Sequence, residues 1–538
     1  MLAVDSKNKI TRTYEQNALR LLETRRRRAR PRTNPSVQTE QIPANVTPTV
    51  RGIPCLYGMS EWLQTLGHSD TDISRLNIIH VTGTKGKGST CEFTRSILHA
   101  HGLRTGFPSK IGLYTSPHIQ CIRERIQINS NPVTENLFTK YFFEVWDTLM
   151  ETNIRKADTT QQPPRYLQFL ALLAFHTFIR ENVDAAIIEV HQGGEFDATN
   201  VIQNPVVTGI TSLGLDHLDQ LGPTVDSIAW HKSGIFKPGA PALSVPQDDS
   251  PLEVLHARAA EKNTSLTIIP LNPDLPTDSS VLGIPVQRLN CSLALELART
   301  FLQAKAPDHV IEPADISTAM EDISLIGRFE IINDPDGQSQ WFVDGAHNTL
   351  SLEKTAEWFS DITKRSAEQT KLTNQLTQMN YLYMHRILIF SHFSKDRDGL
   401  ALLKCLAESL VEQDALPDHV IFTTYIERAD KSQIEKCNKM KDILPTTLPD
   451  LSVLSLFAEK WKATVPQGTS SVSTKETIEE AIDTARSITA QQDGKAQVLI
   501  TGCFLLVGGA LNILRCSKRY ISNVNTKVVR YVGVDNLE

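Results

Sequence analysis

The stretch NIIHVTGTKGKGST, residues 77–90, decides how this chain is read. An apolar run, LNIIHVT, leads into a turn with three glycines and two lysines, and a helical pattern follows in STCEFTRSILHAHG, predicted to end at Gly102. A strand that feeds a glycine-rich turn into a helix N-terminus gathers backbone N–H groups around an anion and points the helix dipole at it. Lys87 is placed to reach a β- or γ-phosphate, and Ser89 or Thr90 to offer a hydroxyl to Mg2+. The strict P-loop spacing is not met, because Gly88 follows Lys87 and Val81 stands where the first glycine belongs. A ligand-free glycine- and lysine-rich turn is the plain alternative for this stretch alone.

Working outward, DAAIIEV (184–190), VVTGITSL (206–213) and APALSVP (240–246) are short β-rich runs without polar alternation. Such runs suit strands covered on both faces, as in a parallel sheet. YLQFLALLAFHTFI (166–179) is too short for a membrane span, carries Gln168 and His176, and reads as a buried helix. A second unit is predicted from about residue 325. It opens with a hairpin turning at Asp336-Gly337 and continues as strand and helix in alternation through HRILIFSHF, DGLALLKCLAESLVEQ, DHVIFTTY, TKETIEEAIDTARSITAQQ and AQVLITGC. The polar stretch ITKRSAEQTKLTNQLTQMN reads as an exposed helical extension or insertion.

The composition is that of an ordinary globular protein of 538 residues, 40% hydrophobic and 22% charged. A net charge of -6 argues against nucleic acid as a partner. The eight cysteines are scattered without a CxxC pair and read as free thiols of a reducing, cytoplasmic setting. The N-terminus has no apolar signal core. Its first ~36 residues are basic and include RRRRARPR at 25–32, which reads as a mitochondrial presequence, a nuclear-import patch or a solvated basic arm.

Three further stretches carry chemistry. In AAIIEVHQGGEFDATN, Glu189 ends a buried strand, where open α/β sheets place their ligands and where a carboxylate can hold Mg2+; a helix-capping Glu is the alternative. In TSLGLDHLDQLGPTVDSIAWHKSGIFKPG, His217 is a candidate metal ligand and Lys232 lies on a helix; a structural His and a surface Lys are the alternatives. In SLIGRFEII and WFVDGAHN, Arg328, Asp344 and His347 flank the hairpin, where DGAHN is otherwise a simple turn.

Together and in this order, HVTGTKGKGST, GLYTSPHIQCIRERIQIN, EVHQGGEFDATN, SLGLDHLDQLG, AWHKSGIFKPG and VDGAHN resemble the folylpolyglutamate synthase family, relatives of the dihydrofolate synthases and Mur peptidoglycan ligases. The resemblance runs from about residue 57 to about 515, and the SPH…RERI element leans to the folate branch. It implies an α/β protein in three parts: a flexible basic arm and linker (1–56), a P-loop-type ATPase domain with a mainly parallel sheet (57–324), and a smaller Rossmann-like domain (325–538). By position, Lys85, Gly86, Lys87, Gly88 and Ser89 would hold ATP, with Asn290 at the adenine and Arg328 and Asp344 contributing from the second domain. Thr115, Glu189 and His217 would be Mg2+ ligands, with Ser89 a further one. Lys232 would join them as a carbamate, and His347 lies beside Asp344 without a fixed role. Ser116, Pro117, His118 and Arg125 would line the folate loop.

The implied reaction is ATP-dependent addition of L-glutamate to the γ-carboxylate of a folate by a monomer, with ATP and Mg2+ as cofactors and K+ as a further candidate. A dihydrofolate synthase, a bifunctional enzyme and a non-catalytic nucleotide- or folate-binding paralogue are the alternatives. One departure stands out: His191 occupies a position where the family usually has glycine, two residues from Glu189.

Overall fold

The computed structural model describes residues 17–26, 55–155, 163–277, 279, 281–377, 384–393, 397–429, 449–491 and 495–516. The chain divides into two compact units. The first comprises residues up to His118 together with Arg123–Ser324, and the second comprises Ile119–Ile122 together with residues from Leu325 onward.

The first unit is built on an eight-stranded sheet. Its strands are β1 (Ile78–Thr82), β2 (Ile111–Tyr114), β3 (Ile126–Ile128), β4 (Asn131–Pro132), β5 (Ala185–Glu189), β6 (Val207–Ile210), β7 (Ala242–Ser244) and β8 (Leu266–Ile268). Their order is β4-β3-β2-β5-β1-β6-β7-β8. β2, β5, β1, β6, β7 and β8 pair in parallel, and β3 and β4 add antiparallel strands at one edge. Every residue of β1, β2, β5 and β6 is buried, which is why these runs lack polar alternation. Even His80 in β1 lies inside; its Nε2 meets Thr199 Oγ1 at 2.9 Å, and burial pushes its pKa down to about 3.

The helix after the glycine loop spans Lys87–Thr105, one turn beyond the predicted end at Gly102. Gly102 is instead a close-packing position, where a Cβ would lie 2.1 Å from the Pro108 carbonyl oxygen. Gly106, at φ 87, caps the helix in the left-handed conformation that glycine adopts most readily. The apolar helix Tyr166–Arg180 is buried over most of its length, as its composition implies. Among the described residues no helix is long and apolar enough to cross a membrane.

Part of the basic arm departs from the expectation of a free segment. Ala18 and Leu22 are buried, Arg25 lies over the Trp146 ring, and Arg26 stacks 4.2 Å above Tyr166 while donating to its hydroxyl at 3.0 Å. The rest of RRRRARPR lies outside the described residues.

The second unit holds a six-stranded sheet of β9 (Glu330–Asn333), β10 (Ser339–Val343), β11 (Met384–Phe390), β12 (His419–Phe422), β13 (Ser471–Thr474) and β14 (Lys495–Thr501). Their order is β13-β12-β11-β14-β10-β9, parallel except for the β9–β10 hairpin, which turns at Asp336-Gly337. The polar stretch from residue 362 continues the helix Thr349–Thr377. Ile119 joins the core of this unit with Val343, Val507 and Leu511, and Gln120 bonds Asn512 and Arg515.

Candidate active site

The loops of interest leave the C-terminal ends of β2, β5, β1 and β6, which are neighbours in the first sheet. Gly86 caps the helix Lys87–Thr105 at φ 87, and a Cβ there would fall 2.2 Å from Asn290 Oδ1. Only glycine meets both demands, and its absent side chain lets Asn290, from the helix Pro285–Lys305, lie against the loop. The loop after β6 clamps the other flank. Ser212 O accepts from Thr84 N at 2.9 Å and Lys85 N at 3.2 Å, and Lys85 Nζ lies 3.3 Å from Asp216 Oδ2. His217 follows at once, in the left-handed conformation at the start of the short helix Leu218–Leu221. Gly88 and Ser89 occupy the buried first turn behind Lys87.

Two lysines converge on this loop. Lys87 Nζ donates to the Gly83 carbonyl at 3.0 Å and to that of Thr84 at 3.3 Å. Lys232 Nζ donates to Gly83 O at 2.6 Å from within the core, and burial, followed by the charge of Lys87, drives its pKa well below the usual lysine value. Close packing holds it there, because a Cβ on Gly194 would come 2.6 Å from the Lys232 carbonyl oxygen.

Glu189 is the last residue of β5, buried between β2 and β1. Its Oε2 accepts a short hydrogen bond from Thr115 Oγ1 and another, at 2.8 Å, from Ser116 N. The structure thus joins Thr115 and Glu189 directly, while Ser89 comes from the helix Lys87–Thr105, His217 from the loop after β6 and Lys232 from the end of the helix Val225–Lys232. Among the described residues no three His, Cys, Asp or Glu side chains form a metal cage. Mg2+ usually takes one or two carboxylates and completes its shell with phosphates and water, so one carboxylate flanked by hydroxyls at an anion loop suits it.

Beyond the cis Ser116–Pro117 bond, Arg125 Nε donates to His118 Nδ1 at 2.8 Å, and both side chains are buried. Burial, then Arg125 and Arg26, hold the pKa of His118 far below normal, so it is neutral and carries its proton on Nε2. Among the described residues, His118 Nε2 and Arg125 Nη1 have no hydrogen-bond partner. Two unmatched buried donors, one of them cationic, favour an anion.

His191 is not in the left-handed region, so the loop tolerates a side chain there; the positive φ falls on Gly193 and the tight packing on Gly194. Its ring meets two groups that the sequence did not single out, Tyr114 and Asp197. A capping signal was available for Asp197, since the Asp-x-Thr pattern bonds back onto itself, Thr199 N to Asp197 Oδ1 at 3.0 Å.

In the second unit, Asp344 follows β10 and is buried. Its carboxylate accepts from Phe329 N, Ala346 N and Thr355 Oγ1, each at 2.9 Å, and so fixes the Arg328–Phe329 turn. Burial raises its pKa to about 6 although these bonds and Arg328 oppose the shift. His347 Nδ1 lies 2.7 Å from Gly345 O, and the ring packs on Phe504. A surface cavity of about 900 Å³ lined by Glu135, Lys140, Glu144, Asp147, His176 and Arg180 shares no residue with any of these groups.

The Mur ligase middle domain model matches residues 81–274, spanning the glycine loop, Glu189, His217 and Lys232. A folylpolyglutamate synthase of Neurospora crassa is 38% identical over 468 residues, covering 85% of this chain and 84% of the relative. This chain belongs to the folylpolyglutamate synthase family. The family's members are amide-forming ligases, and a probable folylpolyglutamate synthase of Schizosaccharomyces pombe is 40% identical over 85% of this chain and 87% of its own. Mycobacterium tuberculosis folylpolyglutamate synthase, solved in complex with ADP, shares the fold with a TM-score of 0.67 at 21% identity, covering 92% of this chain and 98% of that one.

Proposed function

We propose that this protein adds L-glutamate to the γ-carboxylate of a folate, driven by ATP, as a tetrahydrofolylpolyglutamate synthase. The observation that carries the reading is the Thr115–Glu189 pair set beside the Lys87 loop at adjoining strand ends, in a chain 38% identical to a named synthase over most of its length.

The glycine-loop amides and Lys87 bind the triphosphate, with Asn290 at the nucleotide's base. The substrate γ-carboxylate attacks the γ-phosphorus and ADP leaves. The amine of the incoming glutamate then attacks the acyl phosphate, loses a proton, and expels phosphate as the amide forms. Glu189 and Thr115, with Ser89, His217 and a carbamylated Lys232 as further ligands, would hold Mg2+, which would supply charge neutralisation. Lys87 offsets the repulsion between the two reacting anions. His118 and Arg125, beside Ser116 and Pro117, match a substrate carboxylate. Arg328 and Asp344 keep the nucleotide role that the resemblance implies, and His347 is given no step.

Mass spectrometry of a reaction with the purified protein, Mg-ATP, L-glutamate and either tetrahydrofolate or dihydropteroate tests this. Glutamate-extended product from tetrahydrofolate alone is expected. Product from dihydropteroate assigns dihydrofolate synthase or bifunctional activity instead, and nucleotide binding without product from either overturns the reading.

A further inference from the structure

Tyr114, the last residue of β2, and Glu189, the last of β5, stand on neighbouring parallel strands with Tyr114 opposite Ile188. Beyond the sheet the two chains separate, and three side-chain links draw them together again. Two are the bonds from Thr115 and Ser116 to Glu189. The third is His191, whose Nε2 lies 2.6 Å from the Tyr114 hydroxyl, with the rings edge to face at a centroid distance of 5.3 Å. On its other side Nδ1 lies 3.3 Å from Asp197 Oδ1, and both side chains are almost wholly buried.

The Asp197 end of this arrangement is held in place. Asp197 accepts from Gln192 N at 3.0 Å, from Thr199 N at 3.0 Å and from Thr199 Oγ1 at 2.7 Å. Burial alone would favour its neutral form, yet His191 and these donors outweigh burial and hold it ionised. Among the described residues Nδ1 makes no hydrogen bond, so it meets Asp197 as a close contact, and the ring's hydrogen bond is the one with the Tyr114 hydroxyl. Asp197 is itself anchored at the start of the 3-10 turn Ala198–Val201. His191 therefore stands between Asp197, at the head of that turn, and Tyr114, the residue that precedes Thr115.

We propose that His191 is a positioning residue of the active site. By bonding the Tyr114 hydroxyl from its place beside Asp197 it fixes the Thr115–Ser116 segment against Glu189, so that this carboxylate keeps its orientation when a cation binds it. The inference rests on the reading of Glu189 as the metal carboxylate. A glycine at 191 leaves the Tyr114 hydroxyl and Asp197 without this contact, and beyond the end of the β2–β5 ladder the Thr115–Ser116 segment is then held to β5 through Glu189.

The test uses the full chain and three single variants, His191→Gly, His191→Gln and Tyr114→Phe, with the His191→Gly/Tyr114→Phe double variant. The first readout is the Mg2+ dependence of ADP binding by calorimetry, and the second is kcat and KM for glutamate addition to tetrahydrofolate. Outer groups that orient a metal ligand are typically worth about 10- to 100-fold in metal affinity or activity. His191→Gly and Tyr114→Phe are each expected to raise the Mg2+ concentration for half-saturation about ten-fold and to lower kcat by a similar factor. The double variant should be no worse than either single change, and His191→Gln, which retains a side-chain acceptor, should recover most of the loss. A role limited to packing lowers Tm in His191→Gly but leaves Mg2+ half-saturation at the wild-type value, and that result overturns the proposal. So does an additive double variant. Tyr114→Phe removes one oxygen and preserves the test if the glycine variant does not fold. If the wild type binds Mg-ADP yet adds no glutamate, the proposed activity fails while the Mg2+ shift still decides the role of His191.

Discussion

Lys87 and Lys232 donate to one carbonyl oxygen, that of Gly83. Lys232 is buried, so its ammonium form is opposed by desolvation first and by the charge of Lys87 second. The consequence can be read in stability. A base whose folded pKa lies below its unfolded value of ~10.4 leaves the unfolded chain holding more protons between the two, so stability rises with pH across that window. Lys232→Met keeps the volume and removes the titration. Wild type should gain on this variant by up to about 1.4 kcal/mol per pH unit as pH rises from the depressed value toward ~10.4. Tm measured for both proteins from pH 7 to 9.5 checks it, and parallel curves would show that Lys232 is charged in the fold. A neutral amine is also the form that can take up CO2, so Lys232→Met should be folded and inactive.

Glu189→Gln separates charge from shape. The amide oxygen can still accept from Ser116 N, so the β2 and β5 ends stay joined and Tm should change by no more than a few degrees. The negative charge is lost, and glutamate addition should fall by about 10^2- to 10^3-fold, the scale of removing a main electrostatic contact from a transition state. Nucleotide binding should also lose its Mg2+ dependence. Wild-type turnover in a folded Gln variant would remove Glu189 from the metal site.

Gly194→Ala probes the packing that seats Lys232. The added Cβ would lie 2.5 Å from the His231 carbonyl oxygen and 2.6 Å from that of Lys232, both backbone atoms that cannot rotate away. The helix Val225–Lys232 must shift, at about 1–3 kcal/mol for overpacking of this kind. Lys232 Nζ then moves off Gly83, so activity should fall further than stability. Gly239→Ala, at φ 76 and with no heavy atom within 4 Å of the new Cβ, is the contrasting case, backbone strain without overlap. Its stability loss reports backbone strain alone, and its activity should match wild type.

What the sequence disclosed follows the physics of each element. β1, β5 and β6 were legible because strands covered on both faces must be apolar throughout. β3 and β4 were not, being two or three residues long with partly exposed faces at the sheet edge. The place of Ile119–Ile122 was hidden for another reason: its partners Val507, Leu511, Asn512 and Arg515 lie almost four hundred residues along the chain, and no local pattern encodes them. The same division holds in the site. Lys87 and Glu189 announce themselves by loop chemistry and strand-end position, and Thr115 came through the resemblance. Tyr114 and Asp197 carry no such mark, since a tyrosine ending a strand and an aspartate opening a turn are ordinary until His191 is seen between them. The departure at 191 was visible in the sequence, but only the backbone shows that the strained conformation belongs to Gly193.

Asp344 supplies a pH dependence of the opposite sign to that of Lys232. It is an acid whose folded pKa, about 6, lies above its ordinary 3.8, because burial disfavours the carboxylate more than Phe329 N, Ala346 N, Thr355 and Arg328 favour it. Between these values the folded state holds more protons than the unfolded one, so this group's contribution to stability is complete below pH ~4 and is lost as pH rises through 6. The change is of the order of 3 kcal/mol for about two pKa units. Asp344→Ala deletes it. The Tm difference between wild type and Asp344→Ala should therefore be largest near pH 4 and shrink by pH 7, with the remainder reporting the three donors that lose their acceptor. A difference that grows with pH would mean that the three hydrogen bonds and Arg328 outweigh burial, and Asp344 would then be an ordinary ionised anchor for the Arg328–Phe329 turn.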